Sequence, residues 1–131
     1  MNEVLAPRLR VLLADDFPPL RRRLAEAFTE IPGLMICGEA DTASAALRLA
    51  WQLQPQVLVT DLHFPDGTAL EVLEGLADRL PALVVVVLTF DPNPEFRNRA
   101  LALGADAFFD KSRDLSQAVQ FLRELAQTTG D

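Results

Sequence analysis

Five short apolar runs alternate along the chain with segments of helical periodicity, and this alternation constrains the fold more than any other feature. The runs are Leu9 to Ala14, Leu34 to Cys37, Val57 to Thr60, Leu83 to Thr89 and Ala107 to Phe109. Strands that alternate with helices typically form a parallel sheet. The fourth run is rich in valine and has no polar alternation, as expected for a central strand that helices cover on both faces. We therefore predict an α/β fold.

The first two intervening segments carry clear start and stop signals for helices. Pro18 suits the first turn of a helix, where a missing N–H costs little, and Pro32-Gly33 should end that helix. The second helix should begin near Asp41 or Thr42, both good N-caps, and end before Pro55. Both helices carry an apolar stripe that can cover the predicted sheet.

The remaining three helices are marked less evenly. Gly75 lies inside the third helical pattern, which fades toward the next proline, so its regularity is weakened. The fourth helix should begin around Pro94 and stop at Gly104, a favoured C-terminal residue. The fifth, led by Asp114, loses its apolar period beyond Ala126, and we expect the tail to fray.

Size, charge and cysteine content limit the classes of function. A chain of 131 residues fits one domain, which we expect to span 1–131 with a core from about 8 to 126. A net charge of −7 argues against direct nucleic-acid binding by this chain. A single cysteine cannot form an intramolecular disulfide, and neither a signal peptide nor a membrane-spanning segment is visible in the sequence. These features favour a cytoplasmic protein without a membrane partner.

Polar residues stand at or just beyond the ends of four of the apolar runs. They are Asp15, Asp16, Asp61, Thr89 and Lys111. Open α/β sheets bind their ligands outside the carboxyl ends of the strands, so these side chains should converge at one edge. Three carboxylates, a hydroxyl and an ammonium suit a divalent cation beside a phosphoryl group. Taken singly, each residue could instead belong to an ordinary turn or a solvated surface.

The combination resembles the receiver domain of two-component response regulators. The resemblance is carried by Val11 to Asp16, by Asp61 with Pro65 four residues on, by Leu88-Thr89, and by Gly104-Ala105 leading to Lys111. It covers nearly the whole chain. It implies a flavodoxin-like, doubly wound (βα)5 fold, with five parallel strands in the order 2-1-3-4-5 and helices on both faces of the sheet.

The same resemblance implies the chemistry of the site. Asp61 would accept a phosphoryl group from a histidine kinase or a histidine phosphotransfer protein. Asp16 and Asp61 would bind Mg²⁺ or Mn²⁺ directly, Asp15 would bind it through water, and the backbone carbonyl of His63 would complete the protein ligands. Lys111 would pair with the Asp61 carboxylate and later with a phosphoryl oxygen. The protein would catalyse its own phosphorylation and slow dephosphorylation, without being a turnover enzyme on external substrates.

A switch and two partner surfaces are also implied by the resemblance. Thr89 and Phe108 would form the switch, while Phe109 should point to the opposite face of its strand. The last two predicted helices and the strand between them would bind a downstream protein or a second copy of the chain. Phe17 and Leu20 would anchor the phosphodonor protein.

Several residues depart from the usual pattern of the family, and three positions bear directly on the site. Phe90 follows Thr89 where a small residue is common, so its ring could narrow access to the acceptor. His63 is placed to overhang the phosphoryl site and could influence hydrolysis. Ser112 follows Lys111 where proline is usual, so a cis peptide bond is not assumed there.

Alternative functions stay open at the level of sequence. A receiver-like module could bind or dimerise without phosphorylation. An aspartate-nucleophile phosphatase or phosphotransferase shares the same chemistry, but such enzymes usually place a second Asp where His63 stands. An imidazole ligand at His63 could also indicate a transition metal. The sequence identifies neither the kinase nor the target, and does not show whether an effector domain follows.

Overall fold

The computed structural model of the protein describes residues 8–130. Met1 to Pro7 and Asp131 lie outside the described residues, so the predicted absence of a signal peptide and the outer limits of the 1–131 domain fall partly outside them. Within the described range, no helix combines the length and the apolarity that crossing a membrane requires.

Five strands form one parallel sheet in the predicted order. They are β1 (Leu9–Ala14), β2 (Leu34–Ala40), β3 (Val57–Thr60), β4 (Val84–Thr89) and β5 (Ala107–Asp110). The order across the sheet is β2-β1-β3-β4-β5, and every neighbouring pair is parallel. A two-residue antiparallel hairpin, His63–Phe64 with Gly67–Thr68, follows β3. The doubly wound fold predicted from the sequence is confirmed.

Five helices cover the two faces of this sheet. They are α1 (Pro18–Thr29), α2 (Ala43–Leu53), α3 (Ala69–Gly75), α4 (Pro94–Ala102) and α5 (Leu115–Gly130). The core on one face joins α1 and α5 to the sheet, and the core on the other face joins α2, α3 and α4 to it. Side chains of β1 alternate between the two cores, because successive residues of a strand point to opposite faces.

The start of α2 and both ends of α4 agree with the capping signals predicted from the sequence. The Thr42 side chain accepts a hydrogen bond from the backbone N–H of Ala45 and caps α2, as predicted. Pro94 lies at the start of α4, with Asn93 as its N-cap. Gly104, just beyond α4, has φ +112°, a conformation that glycine adopts without the steric penalty of a side chain.

Three boundaries differ from the predictions by more than one residue. β2 continues beyond Cys37 to Ala40. α3 ends at Gly75, and a 3₁₀ turn, Ala77–Arg79, follows it. The prediction of a frayed tail beyond Ala126 was wrong, since α5 continues through Gly130.

Cys37 lies on the edge strand β2 and packs, partly buried, against the core beneath α2. Burial raises the pKa of its thiol above the ordinary value, because the thiolate would lose hydration. The guanidinium of Arg10 acts in the opposite direction and is the smaller influence. The thiol is therefore a core side chain rather than an activated nucleophile.

Candidate functional site

The parallel register of β1 and β3 brings the acidic residues together. Ala14 pairs with Thr60, so the residues that follow these strands leave the sheet side by side. The backbone N–H of Asp61 donates to the carbonyl oxygen of Ala14 at 2.9 Å, which fixes the loop that follows β3 against β1. One carboxylate oxygen from each of Asp15, Asp16 and Asp61 lies within 4.8 Å of the others. The predicted convergence at the carboxyl end of the sheet is confirmed.

Lys111 contacts two of these carboxylates. Its Nζ lies 2.6 Å from Asp15 Oδ2 and 3.0 Å from Asp61 Oδ2. Its backbone N–H donates to the carbonyl oxygen of Thr89 at 2.8 Å, which holds the end of β5 beside β4. A single ammonium thus faces three carboxylates, and the local charge remains negative, which favours binding of a further cation.

The three carboxylates differ in exposure. Asp15 is 1% exposed, and its Oδ1 accepts a hydrogen bond from the backbone N–H of Phe17 at 2.9 Å. Asp61 keeps 15% of its side chain exposed, and its Oδ1 accepts from the backbone N–H of Leu62 at 2.7 Å. Asp16 is exposed. Of the two carboxylates that contact Lys111, only Asp61 can be reached from solvent.

The donor set fits a hard divalent cation. Mg²⁺ and Mn²⁺ prefer oxygen ligands, and the cluster consists of three carboxylates. The imidazole of His63 is not part of that cluster, because its Nε2 lies 2.8 Å from Asp91 Oδ2. This geometry gives no support to a transition-metal site with His63 as its imidazole ligand.

The two predicted switch residues occupy different environments. Thr89 is 1% exposed, and its Oγ1 accepts a hydrogen bond from the backbone N–H of Asp91 at 3.0 Å. Phe108 is half-buried and packs against the core beneath α2, α3 and α4. Phe109 belongs to the other face, where its ring meets Phe121 edge-on at 6.1 Å. The predicted opposite orientation of the two phenylalanines is confirmed.

The exposed phenylalanines near the site border a common groove. Phe17, Pro19, Leu20, Arg23 and Phe90 line a cavity of about 340 Å³. Phe17 is 58% exposed and Phe90 is 60% exposed, so each leaves a large apolar surface in contact with water. The groove begins at Phe17, directly after Asp15 and Asp16 of the acidic cluster.

The contacts of two residues at the site, Phe90 and Arg21, were missed by reasoning from the sequence. The ring of Phe90 lies over Lys111, with 5.2 Å between Nζ and the ring centroid, within the range of a cation–π interaction. Arg21 donates to the carbonyl oxygen of Asp15 at 2.6 Å and pairs with Glu39 at 3.0 Å. These contacts have no signal in the sequence, because each joins residues from different elements or loops.

The loop that follows β3 is tied to α2 by Asp66. Its carboxylate oxygens accept from the backbone N–H groups of Ala43 at 2.7 Å and Ser44 at 3.0 Å. These hydrogen bonds hold the pKa of Asp66 below its ordinary value, because they stabilise the ionised carboxylate at the start of a helix. The sequence Pro65-Asp66-Gly67 is typical of a turn and gives no sign of this contact with α2.

Comparisons with known proteins agree with this geometry. Residues 11–123 match the model of the response regulator receiver domain. The chain is 31% identical to the response regulator GacA of Pseudomonas aeruginosa over 117 residues, which cover 89% of this chain and 55% of GacA. The chain thus spans about half the length of the curated relatives it matches.

Solved structures show the same fold. The signal receiver domain of the putative response regulator NarL from Mycobacterium tuberculosis has a TM-score of 0.83 and 25% identity, covering 92% of this chain and 98% of that one. The isolated receiver domain of RcsB from Salmonella enterica, solved with phosphomimetic BeF₃⁻, has a TM-score of 0.77, 25% identity and 89% coverage of both chains. With its sheet order, its acidic cluster and its paired lysine, this chain belongs to the response regulator receiver family of two-component signalling.

Proposed function

We propose that Asp61 accepts a phosphoryl group from a phosphohistidine on a histidine kinase or a histidine phosphotransfer protein. The observation that carries the proposal is the placement of the Asp61 carboxylate, which is partly exposed, 3.0 Å from the buried Lys111 ammonium and within the acidic cluster. A nucleophile must be reachable by the donor, and a negatively charged nucleophile must be shielded from the incoming negative charge. Asp61 meets both conditions.

The transfer is a displacement at phosphorus. A carboxylate oxygen of Asp61 forms the new O–P bond, the P–N bond to the donor imidazole breaks, and the imidazole takes up a proton from solvent as it leaves. Lys111 moves its charge from the carboxylate to a phosphoryl oxygen. The product is a mixed anhydride, so the same pocket also permits slow hydrolysis by water, and the protein assists its own phosphorylation and dephosphorylation.

Asp16 and Asp61 would hold Mg²⁺ or Mn²⁺ directly, Asp15 through water, and His63 through its backbone carbonyl. When bound, the cation offsets the charge of the carboxylates and of the transferred oxygens. Asp15 would also orient Lys111. Its 2.6 Å contact with Lys111 keeps the ammonium oriented toward the acceptor.

Thr89 and Phe108 would convert the new charge into a change of surface. The Thr89 hydroxyl would leave its contact with the Asp91 N–H to bond a phosphoryl oxygen, and the Phe108 ring would fill the space vacated beside α4. The face made of α4, β5 and α5 would then bind a downstream protein or a second copy of the chain. The exposed Phe17 and the half-buried Leu20, which line the same groove, would anchor the phosphodonor protein.

The proposal also includes the cellular compartment of the protein and the extent of its domain. We assign the chain to the cytoplasm, since its single cysteine lies half-buried in the core, as suits a reducing compartment. We also assign the described core to one receiver domain. Phosphorylation-independent binding is not favoured, because the acceptor, the acidic cluster and the lysine are all brought into contact range.

Phosphoryl labelling tests the assignment of Asp61. With Mg²⁺ and a labelled histidine kinase or a small phosphodonor, Asp61→Asn should lose the label, because the amide is a poor nucleophile. Asp78→Asn, which alters an exposed carboxylate outside the cluster, should retain it. Labelling that persists in Asp61→Asn at the wild-type level would refute the assignment.

A further inference from the structure

His63 and Asp91 join the two loops that flank the pocket. His63 Nε2 and Asp91 Oδ2 lie 2.8 Å apart, and a carboxylate can only accept, so Nε2 carries the proton that is donated. Within residues 8–130, this is the one side-chain hydrogen bond between the loop that follows β3 and the loop that follows β4. We call this pair the His63–Asp91 clasp.

The clasp is connected to the start of α4 from both of its ends. The His63 ring meets the ring of Phe96, on the first turns of α4, edge-on at 5.3 Å. Asp91 Oδ1 accepts from the backbone N–H of Asn93 at 3.4 Å, and the Asn93 side chain caps α4 by accepting from the Glu95 N–H at 2.9 Å. A displacement of α4 relative to the loop that follows β3 must therefore disturb the clasp.

Asp91 is connected to the switch residue as well. Its backbone N–H donates to Thr89 Oγ1 at 3.0 Å, so the same residue holds the Thr89 hydroxyl with its N–H and His63 with its carboxylate. Asp91 thus contacts three groups: His63 in the loop that follows β3, the Thr89 hydroxyl, and the backbone N–H of Asn93, which caps α4. Each of these contacts belongs to the arrangement in which Asp61 is unmodified and contacts Lys111 directly.

We propose that His63 and Asp91 are positioning residues that hold Thr89 and α4 in the unphosphorylated arrangement, so that the clasp opposes switching and raises the free-energy cost of activation. This inference rests on the proposed function. A contact present in only one of two arrangements shifts the equilibrium toward that arrangement. Ligands selective for the other arrangement then bind with an apparent affinity reduced in proportion to its population.

The size of the effect follows from exposure. The two side chains are 49% and 41% exposed, and an exposed polar pair of this kind shifts an equilibrium by up to about fivefold. His63→Gln and Asp91→Asn should therefore each tighten the binding of beryllofluoride, at fixed saturating Mg²⁺, by roughly two- to fivefold. The double variant should bind no more tightly than Asp91→Asn alone, because the clasp is lost only once.

Electrostatics alone would give a different pattern. Asp91→Asn removes a negative charge near an anion site and could tighten anion binding without any change in the switch. His63→Gln removes no negative charge, so tighter binding in that variant cannot come from weakened repulsion. Glu124→Gln, an exposed carboxylate on α5 that contacts Gln120, is the matched control and should bind beryllofluoride as the wild type does.

Amide chemical shifts distinguish a change in the switch equilibrium from a purely local change of structure. With no beryllofluoride added, the Phe96 and Thr89 amides of both variants should shift along the line that joins the free and bound wild-type positions. Unchanged or weaker binding in His63→Gln, or shifts off that line, would overturn the proposal. If wild-type protein fails to bind beryllofluoride at all, the assignment of Asp61 fails instead, so the two failures are distinguishable.

Discussion

Lys111 shows most directly how single residues determine the site. It lies at the end of a short strand, yet its side chain is only 4% exposed and its ammonium contacts a carboxylate that is 1% exposed. Burial of a charge costs free energy unless a partner compensates it. Lys111 and Asp15 therefore depend on one another, and the proposed binding of cations and phosphoryl groups depends on their remaining paired.

Replacing Lys111 should destabilise the fold as well as impair phosphorylation. Lys111→Met leaves Asp15 buried without its counter-charge, so we expect the free energy of unfolding to fall by about 3 kcal/mol without Mg²⁺. Urea denaturation measures this loss. Arg113→Met removes an exposed cation two residues on and should cost less than about 0.5 kcal/mol. Equal losses in the two variants would contradict the interdependence of Lys111 and Asp15.

The sequence was sufficient for some residues of the site and insufficient for others. Asp15, Asp61 and Lys111 follow strands, and parallel strands end at one edge, so their convergence could be predicted. The pairing of His63 with Asp91 could not, because the two residues come from different loops whose conformations no periodic pattern determines.

Helix boundaries depend on contacts that the periodic pattern of apolar residues does not display. Gly75 ends α3 where a Cβ would lie 2.7 Å from a methyl carbon of Leu47, so glycine permits close approach of α2. α5 passes the predicted end by one turn, and Thr128 in that turn donates to the carbonyl oxygen of Glu124. The end of α3 thus reflects a tertiary contact, whereas the added turn of α5 carries a hydrogen bond within the helix.

The cap that Asp66 provides for α2 should make stability depend on acid pH. The folded-state pKa of Asp66 is below its unfolded value, so its contribution is present above about pH 4 and is lost as pH falls through the lowered pKa. The difference in urea midpoint between wild type and Asp66→Asn should therefore be larger at pH 6 than at pH 3. Asp78→Asn, on the 3₁₀ turn, serves as control, and a difference independent of pH would disprove this role.

The whole molecule combines a net charge of −7 with three carboxylates at one edge of its sheet. The alternation of strands and helices predicted the parallel sheet from physical reasoning alone. The order 2-1-3-4-5 came from the family resemblance, since periodicity identifies strands but not their neighbours. The structure adds the reason that the site is stable: the core on each face fixes the strand ends that carry it.

Divalent cations should stabilise the protein through this site. Mg²⁺ at a hundredfold excess over its dissociation constant should add about 2.7 kcal/mol to the free energy of unfolding, because it binds the folded state alone. Asp16→Asn should lose most of that gain while changing stability little without the metal, since Asp16 is exposed. Thermal unfolding with and without Mg²⁺, at matched ionic strength, measures both quantities. An identical gain in the variant would indicate general charge screening instead.

The half-buried Cys37 gives the edge strand a chemical reporter of its own. Its raised pKa keeps the thiol protonated and slow to alkylate while β2 is in place. Local opening of β2 would hydrate the sulfur and speed its reaction with iodoacetamide, so the alkylation rate reads out the free energy of that opening. One native side chain thus allows fraying at the margin of the sheet to be timed without an introduced label.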